Sequence, residues 1–510
     1  MPVNSRHPSY VAALPQWARI RDFCKGRDAV KKKETTYLPR PDGLESTDYT
    51  NGYLKRAPFF AAAAQAAAAL SGTLTRKAPT ITGEPFKDEI ASNVDLCGTT
   101  LESFIARCTD EMFQPARFGV LVDRPSTVDV LDPGGNVVDQ APPEREHDRP
   151  YWALYLAESI INWGEAVDAH GLPFTTFVVL EEMAMMPNPK DSFTHLATPR
   201  WRVLRLDEQG RYVVDLWRCV EGKLPTSQNP DDFEKYQTRV PTMRGEPLDA
   251  IPFEVFNPRD RKLLPDVPVI LKVVDANWDW YMRAADWVHA LHYTANPLWW
   301  AQGDGLSPDM KDTAGNPVVI KIGSSRILTL PPSGSVGVAE VTGAGAECNL
   351  AALREFEQNM AHLSAQMMAP EKRAAEAAAT LEIRTAGQTA TLNSIARTMS
   401  AGFTALAQTT MNWLGADETV VKETAIAVNT DFVAGQMDPQ EMASVSAMHD
   451  AGQLTDEDLF WNLDRGERVA PGQVFEGWNA LRESQRIARA PAVDADEELG
   501  SDDEEAEEGA

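Results

Sequence analysis

The chain has 510 residues, 43% of them hydrophobic and 24% charged, an ordinary globular composition for more than one folding unit. Its formal net charge is −27, and it stays acidic even without the ten acids, free of any base, that run from Asp494 to the last residue. An acidic surface gains nothing from releasing counterions, which excludes a broad, tight grip on nucleic acid of the repressor or histone-like kind. A protein that surrounds DNA and lets it slide is still allowed.

The N-terminus "MPVNSRHPSY" lacks the basic-then-apolar pattern of a secretion signal. The five cysteines (Cys24, Cys97, Cys108, Cys219, Cys348) are odd in number and scattered, with no CxxC pair, and read as reduced structural thiols in a cytoplasmic setting. The basic patch Lys31, Lys32 and Lys33 reads as a solvated face. "FFAAAAQAAAAL" (Phe59–Leu70) is too short and alanine-rich to span a bilayer, so it is expected to be a helix packed closely on a neighbour, and no membrane partner is expected.

Helical patterns follow at 57–72 and 99–114, then "RFGVLVDRPS" (Arg117–Ser126) reads as a buried strand. The proline-, glycine- and charge-rich stretch 127–148 reads as a surface loop. "RPYWALYLAESIINW" opens a run of strands that continues through "PFTTFVVLEEM", "WRVLRLDEQGRYVVDLWRCV" and "IPFEVF", with a hairpin-type turn at "DEQG". Residues 150–260 are therefore expected to form a sheet-rich α+β unit.

Beyond it the pattern becomes helical. In Val267–Ala295, Val273 is followed by Trp278, Tyr281, Ala285 and Val288, the last four recurring at threes and fours, a helical pattern. Next come glycine- and proline-bearing pieces such as "NPVVIKIG" and "SRILTLP". A second helix, Leu350–Met368, is stopped by Pro370. "TGAGAE" (Thr342–Glu347) has the glycine content of a phosphate cradle, but no lysine follows, and it reads as a flexible connection. After "PEKRAAEAAA" the stretch "EIRTAGQTATLNSIARTMSAGFTALAQTTMNWLG" (Glu382–Gly415) has no proline. Its Leu392, Ile395, Met399, Phe403, Leu406 and Trp413 fall on one helical stripe. The remaining threonine, serine, glutamine and alanine suit close helix neighbours. Gly387 and Gly402 read as bend sites.

"MDPQEM" offers Asp438 as N-cap, Pro439 at the first helical position and Glu441 as the return of a capping box. "LTDEDLFWNL" repeats the device with Thr455 and acids in the first turn. The acidic end should repel itself and stay disordered.

No phosphate loop, H-E-x-x-H, G-x-S-x-G or post-strand G-x-G-x-x-G is present, and the eight histidines, His195, His289 and His292 among them, fall singly. "PDGLESTD" and "DEDLFWNLD" hold spaced acids but match no calcium loop. The expectation is no enzyme, no cofactor and no metal.

With "YLPRPDGLESTDYTNGYLKRAPFF", "RPYWALYLAESIINW", "LHYTANPLWWAQG" and "EIRTAGQTATLNSIARTMSAGF" in this order, the sequence resembles the portal proteins of tailed bacteriophages over roughly residues 35–470. The resemblance implies a multi-region α+β portal fold. An N-terminal arm (1–56) would be followed by an α/β wing (57–265), a first stem helix (266–295), a small β-containing clip (296–346) and a second stem helix (347–369). A tunnel loop (370–379), a long kinked helix (380–415), a helical crown (416–490) and an acidic tail (491–510) would complete it. It also implies a homododecameric ring at one capsid vertex of the virion, assembled in the host cytoplasm, through which the genome is packaged and ejected. Its partners would be further copies of itself, double-stranded DNA held without sequence preference, the major capsid protein, a scaffold, the terminase large subunit and a head–tail adaptor. Lys372 and Arg373 would face DNA from the tunnel loop. Trp278, Tyr281 and Trp287, more aromatic area than a solvent-facing helix carries, would sit at a subunit interface. The alternative is another ring-forming phage head or adaptor component without a packaging role.

Overall fold

The computed structural model describes residues 2–125, 128–131, 137–141, 148–188, 191–243, 245–294, 298–302, 335–339, 344–367, 378–432, 439–466, 468–470 and 473–489. The chain divides into two compact units, residues 1–432 and 433–510. It mixes helices with antiparallel sheets, as the sequence predicts.

The first unit opens with α1 (Pro8–Lys25), whose Tyr10, Trp17, Ile20 and Phe23 are buried, so the N-terminal segment is part of the core. His7 caps it: its Nδ1 accepts from the Ser9 amide at 3.2 Å while the ring lies flat on Trp163, centroids 4.1 Å apart. Short turns α2 (Arg27–Lys32), α3 (Ser46–Asp48) and α4 (Leu54–Arg56) lead to α5 (Ala62–Leu74). As expected of an alanine run, α5 approaches its neighbours closely and buries Ala62, Ala63, Ala66, Ala67, Leu70 and Leu74. Strand β1 (Thr80–Thr82) precedes α6 (Leu101–Phe113), where Thr100 Oγ1 accepts from the Ser103 amide.

Strand β2 (Phe118–Asp123) is buried along its whole length, the signature of a central strand covered on both faces. The stretch expected as a surface loop instead contains a hairpin, β3 (Val128–Leu131) with β4 (Val137–Ala141), in which Val128 pairs with Ala141. Short alternating runs flank "DPGG" there, and the turn composition masks them in the sequence. Strand β5 (Tyr151–Leu156) joins the other edge of β2. A five-stranded antiparallel sheet follows from β6 (Ile160–Val167), β7 (Pro173–Asn188), β8 (Asp191–Leu206), β9 (Tyr212–Cys219) and β10 (Phe233–Arg239), in the order β10-β9-β8-β7-β6. The two-residue strands β11 (Thr242–Met243) and β12 (Glu246–Pro247) pair with each other, and β13 (Phe253–Phe256) completes the three-stranded sheet β13-β2-β5.

Helix α7 (Leu271–Thr294), hairpin strands β14 (Leu298–Gln302) and β15 (Ser335–Ala339), α8 (Ala344–Met367) and α9 (Ala378–Leu414) come next. The "TGAGAE" run enters α8 already at Ala344. "NPVVIKIG" and "SRILTLP" lie outside the described residues. So do residues Lys372, Arg373 and Asp438 and the acidic tail, and of Gly387 only the helical backbone is described. Helix α10 (Glu418–Glu423) and β16 (Ala425–Ala427) close the unit, β16 pairing with β1 so that Ile81 meets Ile426. The start of the segment predicted as a separate helical region, 416–432, thus belongs to the first unit.

The stripe predicted on α9 is its buried face: Leu392, Ile395, Met399, Phe403, Leu406 and Trp413 are all buried. Phe403 packs on Phe256 (centroids 5.0 Å) and Trp152 (6.1 Å), and Phe256 stacks on Phe118 at 4.5 Å. Gly402 has a packing reason here. A Cβ on it would meet Phe256 at 2.2 Å.

The second unit consists of α11 (Pro439–Asp450), α12 (Asp456–Arg465) and α13 (Phe475–Arg489). The capping box at Thr455 forms as predicted, closed by Asp458. Phe460 gathers Trp461, Phe475 and Trp478 within 5.7 Å. Asp456 pairs with Arg482 and lies 2.9 Å from His449 Nε2.

Two outcomes follow for the first unit. Gly402→Ala raises helix propensity by about 1 kcal/mol, but overpacking of a close-packed core costs about 1–3 kcal/mol. The variant should therefore unfold at lower urea, and a midpoint above that of the parent protein would mean that Phe256 moves aside freely. For His7, burial first and then the charge of Arg117 hold the pKa below 6.5, against the opposing pull of Glu165. The unfolded chain takes this proton at about pH 6.5 and the folded chain resists it, so the residue leaves stability unchanged above that pH and subtracts from it as pH falls. Paired urea titrations across this range should show a shallower acid loss for His7→Asn, which keeps a capping oxygen.

Candidate functional site

The segment that departs most from an ordinary α+β enzyme is the run from α7 through α9. The chain leaves α7 and returns into α8 across the Leu298–Ala339 pair at the base of the β14–β15 hairpin, so the two helices run in opposite senses. They lie against each other, with Trp280 Nε1 donating to Glu357 Oε1 at 3.1 Å and Leu353 and Met360 buried on the α8 side.

One buried side chain anchors α7 to the rest of the unit. Asn277 donates from Nδ2 to the Phe60 carbonyl at 2.9 Å, and its Oδ1 accepts from the Ala63 amide at 3.2 Å. The preceding Ala61 supplies no side-chain cap, so Asn277 caps the alanine helix α5 from a distant element. Tyr53 adds a second tie, its hydroxyl donating to Asp286 Oδ1 at 2.5 Å and its ring meeting His289 edge-on.

Trp278 is half-buried: its Nε1 donates to the Tyr37 carbonyl at 2.7 Å, Tyr37 meets it edge-on, and the Arg19 guanidinium lies 5.2 Å above it. Tyr281 is fully enclosed in its own chain, against Phe59 among others, and burial raises its phenol to about 12. Trp287 is half-buried at the core margin. The three share a helix but face different surroundings.

The hydroxyl-rich side of α9 has an internal use that residue spacing only hinted at. Ser400 Oγ accepts from the Val428 amide (2.9 Å), Thr404 Oγ1 accepts from the Ile426 amide (3.0 Å), and Gln408 Nε2 donates to the Thr424 carbonyl (3.3 Å). These residues, four apart, form a side-chain ladder for the free edge of β16. Thr410, which is fully buried, accepts from Trp152 Nε1 at 2.9 Å. The interval of four was readable in the sequence, but the strand it serves was not.

Charged clusters elsewhere hold elements together. Arg21 bridges Glu111 and Glu158. Burial pushes Glu111 upward; burial pushes Glu158 the same way, but the hydrogen bond and charge of Arg21, with a backbone hydrogen bond and Lys25, together hold it below its ordinary value. Arg202 similarly joins Asp123 and Glu182, each at 2.7 Å. Arg117 is fully buried 4.4 Å over the Trp163 ring, its guanidinium nitrogens without hydrogen-bond partners, and burial lowers it to about 9. A cleft of about 250 Å³ floored by Leu74, Ile105 and Val428 is smaller than the ~300–1,000 Å³ usual for ligand sites. Among the described residues no three His, Cys, Asp or Glu side chains are grouped to hold a metal ion, and no helix is long and apolar enough to cross a membrane.

A family described as a domain of unknown function (DUF4055) matches residues 269–414, which run from just before α7 to the end of α9. No curated protein matches the chain. Similar solved structures include a chain of the virion of a native gene transfer agent (GTA) particle, at 12% identity and TM-score 0.36, covering 83% of this chain and 95% of that one. Another is a chain of the neck of the native GTA particle, computed with C12 symmetry, at 10% identity and TM-score 0.35 over 84% and 95%. A third, from the neck of the empty particle, computed with C6 symmetry, has 12% identity and TM-score 0.37 over 82% and 93%.

Replacing Asn277 by Leu strands the Phe60 carbonyl and the Ala63 amide, and a buried unsatisfied polar group costs about 1–3 kcal/mol. Urea denaturation should show a loss of that order, and Asn277→Asp, which keeps the acceptor, should recover part of it. Equal losses in both variants would remove the capping role.

Proposed function

We propose that this chain is the subunit of a phage portal, a ring at one capsid vertex that conducts DNA in packaging and ejection and performs no chemistry itself. The observation that carries the proposal is the antiparallel pair α7–α8 bracketing the β14–β15 hairpin and leading into the long α9, whose second half rests on the β13-β2-β5 sheet. Two helices tipped by a hairpin make a stem with a docking end, and a long helix running back to a packed sheet ties that stem to a rigid body. The order of the four sequence stretches that resemble portal proteins supports the same reading, as does the acidic net charge of −27, which lets a duplex pass without being held.

The hairpin and its flanking residues, 296–346, are the proposed docking end for the terminase large subunit and then a head–tail adaptor, while the major capsid protein and a scaffold surround the ring. Tyr281 is already enclosed within its own chain. The subunit contact on α7 is therefore proposed at the part-exposed Trp287 and Trp278. Lys372 and Arg373 are proposed to meet the phosphate backbone with contacts weak enough to centre DNA, because salt screens such pairs beyond about 8 Å.

Negative-stain imaging of the purified chain tests the ring directly: axial views should show closed rings with a central hole. The double variant Lys372→Glu, Arg373→Glu should form the same rings yet package or retain less DNA. Normal packaging by that variant would return both residues to a solvated loop, and a chain without rings would sink the conduit itself.

A further inference from the structure

The chain carries 75 acids against 48 bases, and many of its cations stand beside a carboxylate, Arg19 on Asp275 and Lys33 on Asp22 among them. Five neighbouring cations do not. Arg27, Lys31 and Lys32 on α2 and Lys55 and Arg56 on α4 form no ion pair among the described residues. Read along the sequence, the lysine run is only a solvated face, and the fold adds α4 to it. Lys31 Nζ and Arg27 Nη2 both donate to the Lys55 carbonyl, at 2.9 and 3.5 Å, across 24 and 28 residues of chain.

A carbonyl oxygen carries only a partial charge, so it gathers these cations without neutralising them. Arg27 and Lys31 stand four apart on one helix, a like-charge spacing that costs helix stability. Burial first and then the charge of Arg27 lower the Lys31 ammonium to about 8, against the pull of Asp28. The cluster therefore lacks an anion.

Its composition says which kind of anion fits. The cores of protein interfaces are rich in aromatic side chains and poor in lysine. Among the described residues, no large hydrophobic side chain between Lys25 and Arg56 is exposed. Arg27, Lys32 and Lys55 are exposed, and Lys31 and Arg56 are half-buried. Lysine and arginine without apolar neighbours suit a phosphate backbone, which is met by charge and not by packing.

We infer that the α2–α4 patch is a docking surface for the phosphate backbone of double-stranded DNA, held without sequence preference. Each cation that meets a phosphate releases a condensed counterion, so five contacts give a log–log salt slope of about −4 to −5. Repulsion from the rest of a chain of net charge −27 keeps the contact local and reversible. DNA as the phosphate source rests on the conduit reading, whereas the patch itself needs no ring. It adds a second contact to the one proposed at Lys372 and Arg373.

The test is fluorescence anisotropy of a labelled short DNA duplex of mixed sequence, titrated with the full chain at several salt concentrations. Arg27→Gln with Lys32→Gln and Lys55→Gln removes three exposed charges, so the melting temperature should not move. Affinity at low salt should fall at least about tenfold, and the salt slope should lose about 3. A control, Lys87→Gln with Arg259→Gln and Lys422→Gln, removes the same charge from other exposed sites and should keep the parent slope. An equal loss in the control would make the effect one of overall charge and overturn the patch. Poly-glutamate that competes as well as unlabelled duplex at equal charge concentration would make the surface a seat for an acidic protein, and would overturn the assignment to DNA. Rings in negative stain without duplex binding overturn the patch and leave the conduit standing. Patch-dependent binding by a chain that forms no rings keeps the patch and sinks the conduit.

Discussion

The first unit depends on the crossing of α9 over β13, where Gly402 lets the helix backbone come down onto the ring of Phe256. With the helix that close, Phe403 reaches both Phe256 and Trp152, and Phe256 in turn stacks on Phe118 in the central strand. One missing Cβ thus links the longest helix to both outer strands of the β13-β2-β5 sheet through a continuous aromatic layer. A helix of 37 residues needs such a seat, since an isolated helix gains little from its own hydrogen bonds in water.

The polar side of α9 completes that seat. Ser400, Thr404 and Gln408 bind the backbone of 424–428, so a strand of three residues gains partners on two sides, β1 along its ladder and helix side chains along its other edge. Asn277 on α7 works the same way, supplying α5 with the cap that its own alanine-rich start lacks. Both cases follow from the same constraint: buried backbone groups must be bonded, and where the local chain offers no partner a side chain from a distant element supplies it. Part-buried ion pairs likewise tie separate elements together, Arg21 joining α1 to α6 and to the turn before β6, and Arg202 joining β8 to β2 and β7. A proposed conduit would need such rigidity, because its stem and docking hairpin can be positioned only by the body behind them.

Periodic apolar stripes were the most legible part of the sequence. The α9 stripe, the alanine helix, the central β2 strand and the Thr455 capping box each depend on residues within a turn or two of one another, so their geometry is local. The β3–β4 hairpin was missed because proline and glycine in its turn outweigh two strands of four and five residues. The early helix α1 was passed over because its buried face, Tyr10 to Phe23, is interrupted by Pro15. The aromatic run on α7 was visible, but whether each ring faces its own chain or open surface was not.

The sequence by itself determined the α+β class, the alternation of sheet-forming and helical regions, the acidic charge and the absence of familiar catalytic motifs. All of these follow from composition and short-range spacing. Only the tertiary structure decided that Gly402 is a packing site, that Ser400 and its companions serve a strand, and that Tyr281 is enclosed. It also decided where β7 and β8 outrun their neighbours and leave Met183, Met185 and Phe193 uncovered. The physical reason is the same in each case: a side chain's role is set by what lies across from it. In Gly402 and Phe256, Thr404 and Ile426, or Phe59 and Tyr281, that partner comes from a distant part of the chain.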